Sequence, residues 1–332
     1  MLDLNRVCVP LSLDCNLHCK YCYRDKEKRD VPEFNEGMIG YLMTRTPDRC
    51  EAVIASGGEP LLHWDRVKAL FSYVPKNVHK KLMSNCILLT QEIVDYLNEN
   101  EIELATSHDG PKTKFLRGYD ILDNPKIRDL VKQVKILRIV NVVTKYNLDT
   151  WEDYFDTASR LGRCDFNYLG TPLLDIPAQH DLIDGFDYDK WMSLWNQFLV
   201  SPYMVRLPWY KGKTLHPKRT FRVRHTDFNV LPDGTVCGMA NICSKYGTIY
   251  DTIDKCYSNL LAMGQASRCK DCKFDKTCKF GGFCETDHVY KWKTMMNEFW
   301  SPDNIANIQA LRIYVRDHME EIEKKYGFVR PI

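Results

Sequence analysis

The chain has 332 residues, of which 44% are apolar and 27% are charged, an ordinary composition for a globular protein. Lysine and arginine number 46 against 44 acidic residues, so the formal charge of +2 gives no general reason to expect a nucleic-acid partner or a polybasic membrane contact. No apolar run reaches the length of a membrane span, and the amino-terminal segment is too polar and cysteine-rich for a secretory signal. We therefore expect a cytoplasmic protein with neither a membrane nor a nucleic-acid partner.

The first two-thirds of the chain alternates β-rich runs with helical patterns. Strands are predicted at 6–13, 51–56, 80–85, 102–107, 137–143 and 165–169. An amphipathic pattern predicts a helix over 91–98, and Asn124 followed by Pro125 predicts the start of another. Repeated strand–helix units predict an α/β fold with a parallel sheet, open or closed into a barrel, whose chemistry gathers at the carboxyl ends of the strands.

The pattern changes after Pro208. Residues 209–225 are strongly basic, and residues 228–239 predict a hairpin that turns at Asp233 and Gly234. The sequence Ser301–Pro302 predicts the start of a terminal helix. One apolar stripe along that helix predicts packing against the rest of the protein, and its members are Ile305, Ile308, Leu311, Val315, Met319 and Ile322.

Cysteine is the unusual residue, with 14 in the chain. Seven lie in residues 1–164, and the other seven crowd into the 48 residues from Cys237 to Cys284. A secreted disulfide scaffold is usually much shorter and carries a signal sequence. The cysteines therefore favour an intracellular metalloprotein.

Three of these cysteines, Cys15, Cys19 and Cys22, follow the first predicted strand directly with the spacing CxxxCxxC. Three thiolates on one short loop can bind an iron–sulfur cube and leave its fourth iron open to a small molecule. The alternative is zinc, but structural zinc sites use four protein ligands and commonly pair cysteines as CxxC. The spacing, with Tyr21 just before the last cysteine, favours the cluster.

These residues resemble the CxxxCxΦC signature of the radical S-adenosylmethionine (SAM) superfamily. Residues 56–60 (SGGEP) resemble its GGEP motif, and residues 84–89 resemble its TNGxLL segment with Cys86 in place of glycine. Residues 107–111 resemble an SxDGP segment, and residues 142–147 resemble the end of the fifth strand. The resemblance spans most of residues 5–170 and implies a partial (β/α)6 TIM-like barrel.

The resemblance also implies a [4Fe-4S] cluster on the three cysteines, with SAM bound at its open iron. Glu59 is implied to pair with the amino group of SAM, since a carboxylate suits an ammonium group, and the preceding glycines suit close backbone approach to a ligand. Ser107 and Arg117 are implied to help hold SAM, while Tyr21 could pack near the adenine or belong to the core. The residues expected to contact the cofactor are Tyr21, Gly57, Gly58, Glu59, Pro60, Asn85, Ser107 and Arg117.

A second set of cysteines resembles the SPASM domain, whose cysteines bind auxiliary iron–sulfur clusters. The spacing of Cys269, Cys272 and Cys278 and the hairpin sequence PDGTVCGM carry this resemblance. The usual cysteine before the hairpin glycine is missing, and none follows Cys284, which makes the domain similar to a shortened, twitch-like one. The candidate ligands are Cys237, Cys243, Cys269, Cys272, Cys278 and Cys284. We expect at least one auxiliary [4Fe-4S] cluster, with a second cluster or a zinc site as alternatives.

The remaining cysteines are expected to be small buried core residues, namely Cys8, Cys50, Cys86, Cys164 and Cys256. The sequence thus divides into a radical SAM barrel over 1–208, a cysteine-rich auxiliary-cluster domain over 209–290, and a helical segment over 291–332 that packs on the barrel.

The function implied by the resemblance is oxidative modification of a peptide by a crosslink, a thioether or a dehydrogenation, as in the maturation of ribosomally made peptides. Gly238 follows the hairpin cysteine where sulfatase maturases place an acid, which disfavours that activity. The alternatives are a radical SAM dehydrogenase of a small polar molecule and a non-catalytic iron–sulfur or zinc protein. We expect an external electron donor of the flavodoxin or ferredoxin type. The candidate proton acceptors, among which the sequence does not choose, are His108, Asp109, His225 and Asp227.

Overall fold

The computed structural model describes residues 3–22, 37, 40–41, 50–148, 160–161, 165–170, 181–182, 184–190, 193, 225–231, 233–238, 245–251, 255–256, 258–259, 302–318 and 320–321. These residues contain one nine-stranded sheet with helices between its parallel strands. Among the described helices, none combines the length and the apolar character that crossing a membrane requires.

The strands are β1 (Asp3–Pro10), β2 (Cys50–Ser56), β3 (His79–Ser84), β4 (Glu103–Ser107), β5 (Leu137–Val142), β6 (Asp165–Gly170), β7 (His225–Val230), β8 (Thr235–Gly238) and β9 (Lys245–Thr248). Their order across the sheet is β6-β5-β4-β3-β2-β1-β7-β8-β9. Strands β1 to β6 pair in parallel in chain order, and β7 pairs in parallel with the other edge of β1. Strands β7, β8 and β9 pair antiparallel, which confirms the predicted hairpin. The predicted α/β fold with a parallel sheet is therefore confirmed.

The α-helices whose bounds lie within the described residues are α1 (Trp64–Tyr73), α2 (Gln91–Glu99), α3 (Thr113–Arg117), α4 (Pro125–Lys132) and α5 (Pro302–Asp317). Helix α2 begins after Thr90, whose hydroxyl accepts a hydrogen bond from the backbone N–H of Ile93. The predicted start of α4 is confirmed, since the Asn124 side chain caps the helix and Pro125 occupies its first turn. Each cap satisfies a backbone donor that the helix itself leaves without a partner.

One face of the parallel sheet carries the main hydrophobic core. Alternate strand residues such as Val53, Leu82 and Leu104 are fully buried and belong to one cluster with the inward faces of α1, α2 and α4. Because side chains alternate across a strand, the residues one position away point to the opposite face of the sheet. Burying Leu82 or Leu104 stabilises the fold by about 1.5–3 kcal/mol. Because these side chains pack against the helices, the helices hold the strands in fixed positions.

The opposite face carries a buried charge cluster at the amino-terminal ends of three neighbouring strands, which we call the Glu103 cluster. It consists of Glu103 on β4, His79 and Lys81 on β3, and Arg138 on β5. Glu103 is 2% exposed and lies 2.7 Å from Arg138 Nε, 2.9 Å from His79 Nε2 and 3.3 Å from Lys81 Nζ. These contacts tie the starts of three strands together, at the opposite ends from the expected site.

The structure gives the burial of several residues that the sequence predicted to lie in the core. Cys8, Cys86 and Cys256 are buried, as predicted, whereas the side chain of Cys50 and all of Cys164 lie outside the described residues. Leu311 in α5 is 54% exposed, so the predicted packing of the apolar stripe is wrong at this residue. Ile313 is also exposed and lies about 200° around the helix from Leu311, so the apolar residues of α5 do not form a single face.

Candidate iron–sulfur and cofactor site

The three predicted cluster cysteines lie on the loop that leaves the carboxyl end of β1. Cys15 is exposed and Cys19 and Cys22 are half-buried, and the backbone N–H of Cys22 donates to the carbonyl of Cys19 at 2.9 Å to close a tight turn. Burial raises the pKa of the Cys19 thiol to about 11, the Arg117 charge opposes that rise, and Cys22 and Cys15 add to it. The Cys22 and Cys15 sulfurs thus lie close enough to Cys19 to oppose the ionisation of its thiol.

This donor set fits an iron–sulfur cluster. Thiolates are the ligands that such clusters use, and a positively charged metal centre offsets both the burial and the mutual repulsion of the sulfurs. Among the described His, Cys, Asp and Glu side chains, no group is arranged to hold a single metal ion. An iron–sulfur cube does not require the three sulfurs to converge on one metal ion, because each thiolate binds a different iron atom of the cluster.

The Cys15 half of the loop is held by the glycine pair at the end of β2. The backbone N–H of Gly58 donates to Ser12 O at 2.8 Å, and that of Glu59 donates to Asp14 O at 2.7 Å. A Cβ on Gly57 would lie 2.2 Å from Ser12 O, and one on Gly58 would lie 2.0 Å from Asp14 O. The sequence predicted that these glycines allow a ligand to approach the backbone closely. In the structure, the group that they allow to approach closely is the backbone of the cysteine loop.

We expect Gly58→Ala to displace the loop, because its Cβ meets a backbone oxygen that no side-chain rotation can remove. The free energy of unfolding should fall by about 2 kcal/mol or more, and less iron should be incorporated during reconstitution. Chemical denaturation and iron analysis measure the two effects. Gly185→Ala is the matched control: it has φ +74° but no atom within 4 Å, so it should cost about 1 kcal/mol and leave the iron content unchanged. Equal iron losses in the two variants would contradict the expectation.

Glu59 is 2% exposed and its carboxylate already has three donors from the chain. Oε1 accepts from Leu61 N at 3.0 Å and from Ser84 Oγ at 2.8 Å, and Oε2 accepts from Asn85 N at 2.8 Å. Burial raises the pKa of Glu59, and these hydrogen bonds oppose the rise. The side chain therefore links the end of β2 to the end of β3.

The turn after β3 reaches the cysteine loop from another side. Asn85 Nδ2 donates to Asn16 Oδ1 at 2.7 Å, which places this predicted cofactor residue directly on the loop. Cys86 has φ +65°, a conformation that favours glycine, which explains why its position resembles the glycine of a TNG segment. Burial raises the pKa of the Cys86 thiol to about 12, so it remains protonated in the core.

The Cys19–Cys22 half of the loop is held at the ends of β4 and β5. Asp109, two residues beyond the end of β4, accepts hydrogen bonds from the Tyr21 hydroxyl at 2.6 Å and from Arg117 Nε at 2.7 Å. The Arg117 guanidinium is 8% exposed and lies 5.1 Å from the centre of the Tyr21 ring. Two residues expected to contact SAM, Tyr21 and Arg117, are therefore joined to each other through Asp109.

The remaining predicted residues lie around these contacts. Pro60 is buried and begins the 3-10 turn Pro60–His63, while Ser107 is half-buried and ends β4. Of the candidate proton acceptors, Asp109 already accepts hydrogen bonds from Tyr21 and Arg117. His108 Nδ1 accepts a hydrogen bond from Gly110 N, and its Nε2 lies 3.1 Å from Asp120 Oδ1. The side chains of His225 and Asp227 lie outside the described residues.

Sequence reasoning missed Asn147, whose side chain organises the end of β5. Its Nδ2 donates to Asp109 O at 3.2 Å and to Val142 O at 2.8 Å, and its Oδ1 accepts from Thr144 N. The signal was present in residues 142–147, which end in this asparagine, but the spacing alone did not assign it a partner.

The described residues include one candidate ligand of the auxiliary-cluster region. Cys237 lies in β8, is fully buried, and has its sulfur 3.7 Å from Asn229 O. The other candidate ligands lie outside the described residues, as does most of the basic segment: Cys243, Cys269, Cys272, Cys278, Cys284 and residues 209–224.

The chain is similar in sequence to known proteins over part of its length. The family model of the radical SAM superfamily matches residues 9–175, half of the chain. A cysteine-type anaerobic sulfatase-maturating enzyme of Clostridium perfringens is 27% identical over 249 residues, covering 64% of this chain and 65% of the relative. An uncharacterized protein of Methanocaldococcus jannaschii is 28% identical over 155 residues, covering 42% of this chain and 53% of the relative. The match therefore spans between about half and two-thirds of these relatives.

Solved structures share the fold over a greater length. The structure titled native anSMEcpe with bound AdoMet aligns with a TM-score of 0.66 and 20% identity, covering 93% of this chain and 100% of that one. SuiB of Streptococcus suis bound to precursor peptide SuiA aligns with a TM-score of 0.59 and 15% identity, covering 85% and 72%. The family match includes the cysteine loop and the residues described above that anchor it, and the chain belongs to the radical SAM superfamily.

Proposed function

We propose that this radical SAM enzyme oxidatively modifies a peptide by forming a crosslink or thioether or by dehydrogenation, as in the maturation of ribosomally made peptides. The observation that carries the proposal is the cysteine loop, which residues following β2, β3 and β4 hold through named hydrogen bonds, with Val142 at the end of β5 bonded in turn to Asp109. A loop held at this many points gives the fixed geometry that a cofactor site needs.

In this proposal, Cys15, Cys19 and Cys22 hold a [4Fe-4S] cluster, and SAM lies against the ends of β2 to β4. When bound, the two groups supply reductive cleavage of the sulfonium and a 5′-deoxyadenosyl radical that removes hydrogen from an unactivated C–H bond. The residues proposed to surround SAM are Tyr21, Gly57, Gly58, Glu59, Pro60, Asn85, Ser107 and Arg117. Because Glu59 and Arg117 have partners in the chain, they orient this site mainly through those partners.

The peptide substrate is supported by what the similar proteins bind. One structure of anSMEcpe contains the Kp18Cys peptide, and one structure of SuiB contains precursor peptide SuiA. Gly238 still departs from the acid expected in sulfatase maturases, so we favour a peptide other than a sulfatase segment. We further propose at least one auxiliary [4Fe-4S] cluster in residues 209–290, an electron donor of the flavodoxin or ferredoxin type, and action in the cytoplasm.

The test is anaerobic reconstitution with iron and sulfide, followed by dithionite and SAM. We expect 5′-deoxyadenosine to form. We expect more of it when a short precursor peptide, encoded by a gene next to the gene of this protein, is added. The peptide should lose the mass of one pair of hydrogen atoms, since each of the proposed modifications removes that pair. Absence of 5′-deoxyadenosine with and without peptide would reject the enzyme. Stimulation by a small polar molecule and not by peptide would reject the peptide substrate.

A further inference from the structure

We propose that Asp109 is a positioning residue for the cluster loop: its carboxylate holds the Cys19–Cys22 arm against the ends of β4 and β5 through Tyr21 and Arg117. The inference rests on the proposed function, because it concerns the geometry of the cluster that this arm would bind. It assigns to Asp109 a role distinct from the proton acceptor considered from the sequence.

The carboxylate of Asp109 is completely buried and accepts four hydrogen bonds from described residues. Oδ2 accepts from the Tyr21 hydroxyl at 2.6 Å and from Arg117 Nε at 2.7 Å. Oδ1 accepts from Val142 N at 2.7 Å and from Arg117 Nη2 at 3.3 Å. One carboxylate thus joins the cysteine loop, α3 and the end of β5 by charge-assisted hydrogen bonds, which are stronger than neutral ones.

The position of Tyr21 carries this restraint to the cluster ligands, because the residue stands between Cys19 and Cys22 in a tight turn. The turn is closed by the hydrogen bond from Cys22 N to Cys19 O, and Lys20 N donates to Leu116 O at 2.8 Å. Every residue from 19 to 22 therefore takes part in a fixed contact. A displacement of Tyr21 must move both neighbouring thiols.

The guanidinium of Arg117 adds a second reason why Asp109 matters. Arg117 is 8% exposed, and its charge is balanced by Asp109 at 2.7 Å. A buried cation that loses its carboxylate partner is strongly unfavourable, so Arg117 would move away from the Tyr21 ring when Asp109 is neutral. Arg117 acts on the loop through Asp109, and any contact that it makes with SAM must use its other N–H groups.

The Cys15 arm does not depend on these contacts. It is held by Gly58 and Glu59, whose backbone N–H groups donate to Ser12 and Asp14. Loss of the Asp109 contacts should therefore distort two of the three cluster ligands and leave the third in place. That asymmetry predicts a cluster that assembles with altered geometry, and not a complete loss of the site.

The experiment compares wild type, Asp109→Asn, Tyr21→Phe and Glu103→Gln, each reconstituted and reduced anaerobically. The readout is the change in the electron paramagnetic resonance spectrum on titration with SAM, since only a cluster with an open iron responds to it. Asp109→Asn keeps the size of the side chain, and Tyr21→Phe keeps the ring but removes the hydroxyl. Glu103→Gln is the matched control, because it also neutralises a buried, ion-paired carboxylate of β4, at the other end of the strand.

We expect both site variants to shift the SAM-dependent signal and to weaken SAM binding about tenfold, which is at the low end of the loss in metal affinity or activity seen when a group that orients metal ligands is removed. Glu103→Gln should lower thermal stability and leave the signal unchanged. If wild type shows no SAM-dependent signal, the proposed function fails. If wild type shows it and Asp109→Asn gives the same signal and affinity, the inference is overturned. If Asp109→Asn does not fold, an unchanged signal in Tyr21→Phe overturns it, as does an equal shift in Glu103→Gln.

Discussion

Replacing Cys15, Cys19 and Cys22 together with alanine should abolish the formation of 5′-deoxyadenosine from SAM without unfolding the protein. The three side chains are exposed or half-buried on a loop outside the main hydrophobic core, so their removal leaves that core complete. The activity should disappear entirely, because the proposed cluster has no other ligands on this loop. Chromatographic detection of 5′-deoxyadenosine and a thermal melt measure the two properties separately.

The control for this variant is Cys8→Ala. Cys8 lies on β1, shortly before the same loop, but is 3% exposed and belongs to the interior. Its replacement should lower the stability and preserve the formation of 5′-deoxyadenosine. Product formed by the triple variant would contradict the assignment of these three cysteines.

The iron content of the triple variant also gives the number of auxiliary clusters. Residual iron of about four atoms per chain would support one auxiliary [4Fe-4S] cluster and about eight would support two. Iron near zero would refute an auxiliary cluster. The measurement bears on residues 209–290 as a whole, where Cys237 is the candidate ligand that the structure describes.

The sequence was sufficient to predict the first six strands along the chain and their parallel sheet, because the strands are short and are separated by turns or amphipathic helices. The predicted strand at 51–56 and the observed β2 (Cys50–Ser56) differ by one residue at one end. The first strand was predicted too late, at 6–13, and β1 ends at Pro10. The residues after it continue as the cysteine loop, whose N–H groups turn toward the end of β2, as in the bond from Leu11 N to Ser56 O.

The positions of the site residues followed from motifs, but their partners did not. Tyr21 and Asp109 are 88 residues apart, and no local spacing connects a loop tyrosine with an aspartate beyond the fourth strand. Gly57 and Gly58 were likewise identified from their motif, yet the atoms that require them belong to Ser12 and Asp14. A motif records which residue types are needed, while the contact that requires them forms only when distant strands pair.

The Glu103 cluster left no recognisable signal, since charged residues at strand starts usually face water. Within the folded sheet, parallel pairing sets Lys81 opposite Glu103 and brings β5 alongside, so Arg138 reaches the same carboxylate. Burial alone would raise the pKa of Glu103, but the hydrogen bond from His79 and the charges of Lys81 and Arg138 lower it to about 2. The hydrogen bond from His79 and the charges of Lys81 and Arg138 together therefore outweigh the cost of burial.

Glu103→Gln should consequently destabilise the protein in a pH-dependent way. The pKa of Glu103 falls from its ordinary value of 4.5 in the unfolded chain to about 2 in the folded protein, so the ionised carboxylate favours folding. At about 1.4 kcal/mol for each pKa unit, this amounts to about 3 kcal/mol of unfolding free energy at neutral pH. The contribution is complete above pH 4.5 and is lost as the pH falls toward 2.

Chemical denaturation of wild type and Glu103→Gln at a series of pH values measures this contribution directly. The difference in unfolding free energy should be constant near neutral pH and shrink steadily as the pH drops below 4.5, since wild-type Glu103 then becomes protonated in the unfolded chain. Glu99→Gln is the matched control, because Glu99 is exposed at the end of α2 and its replacement should change stability by less than about 0.5 kcal/mol. A difference between wild type and Glu103→Gln that stayed the same from neutral to acid pH would show that the cluster stabilises the strands by packing and not by charge.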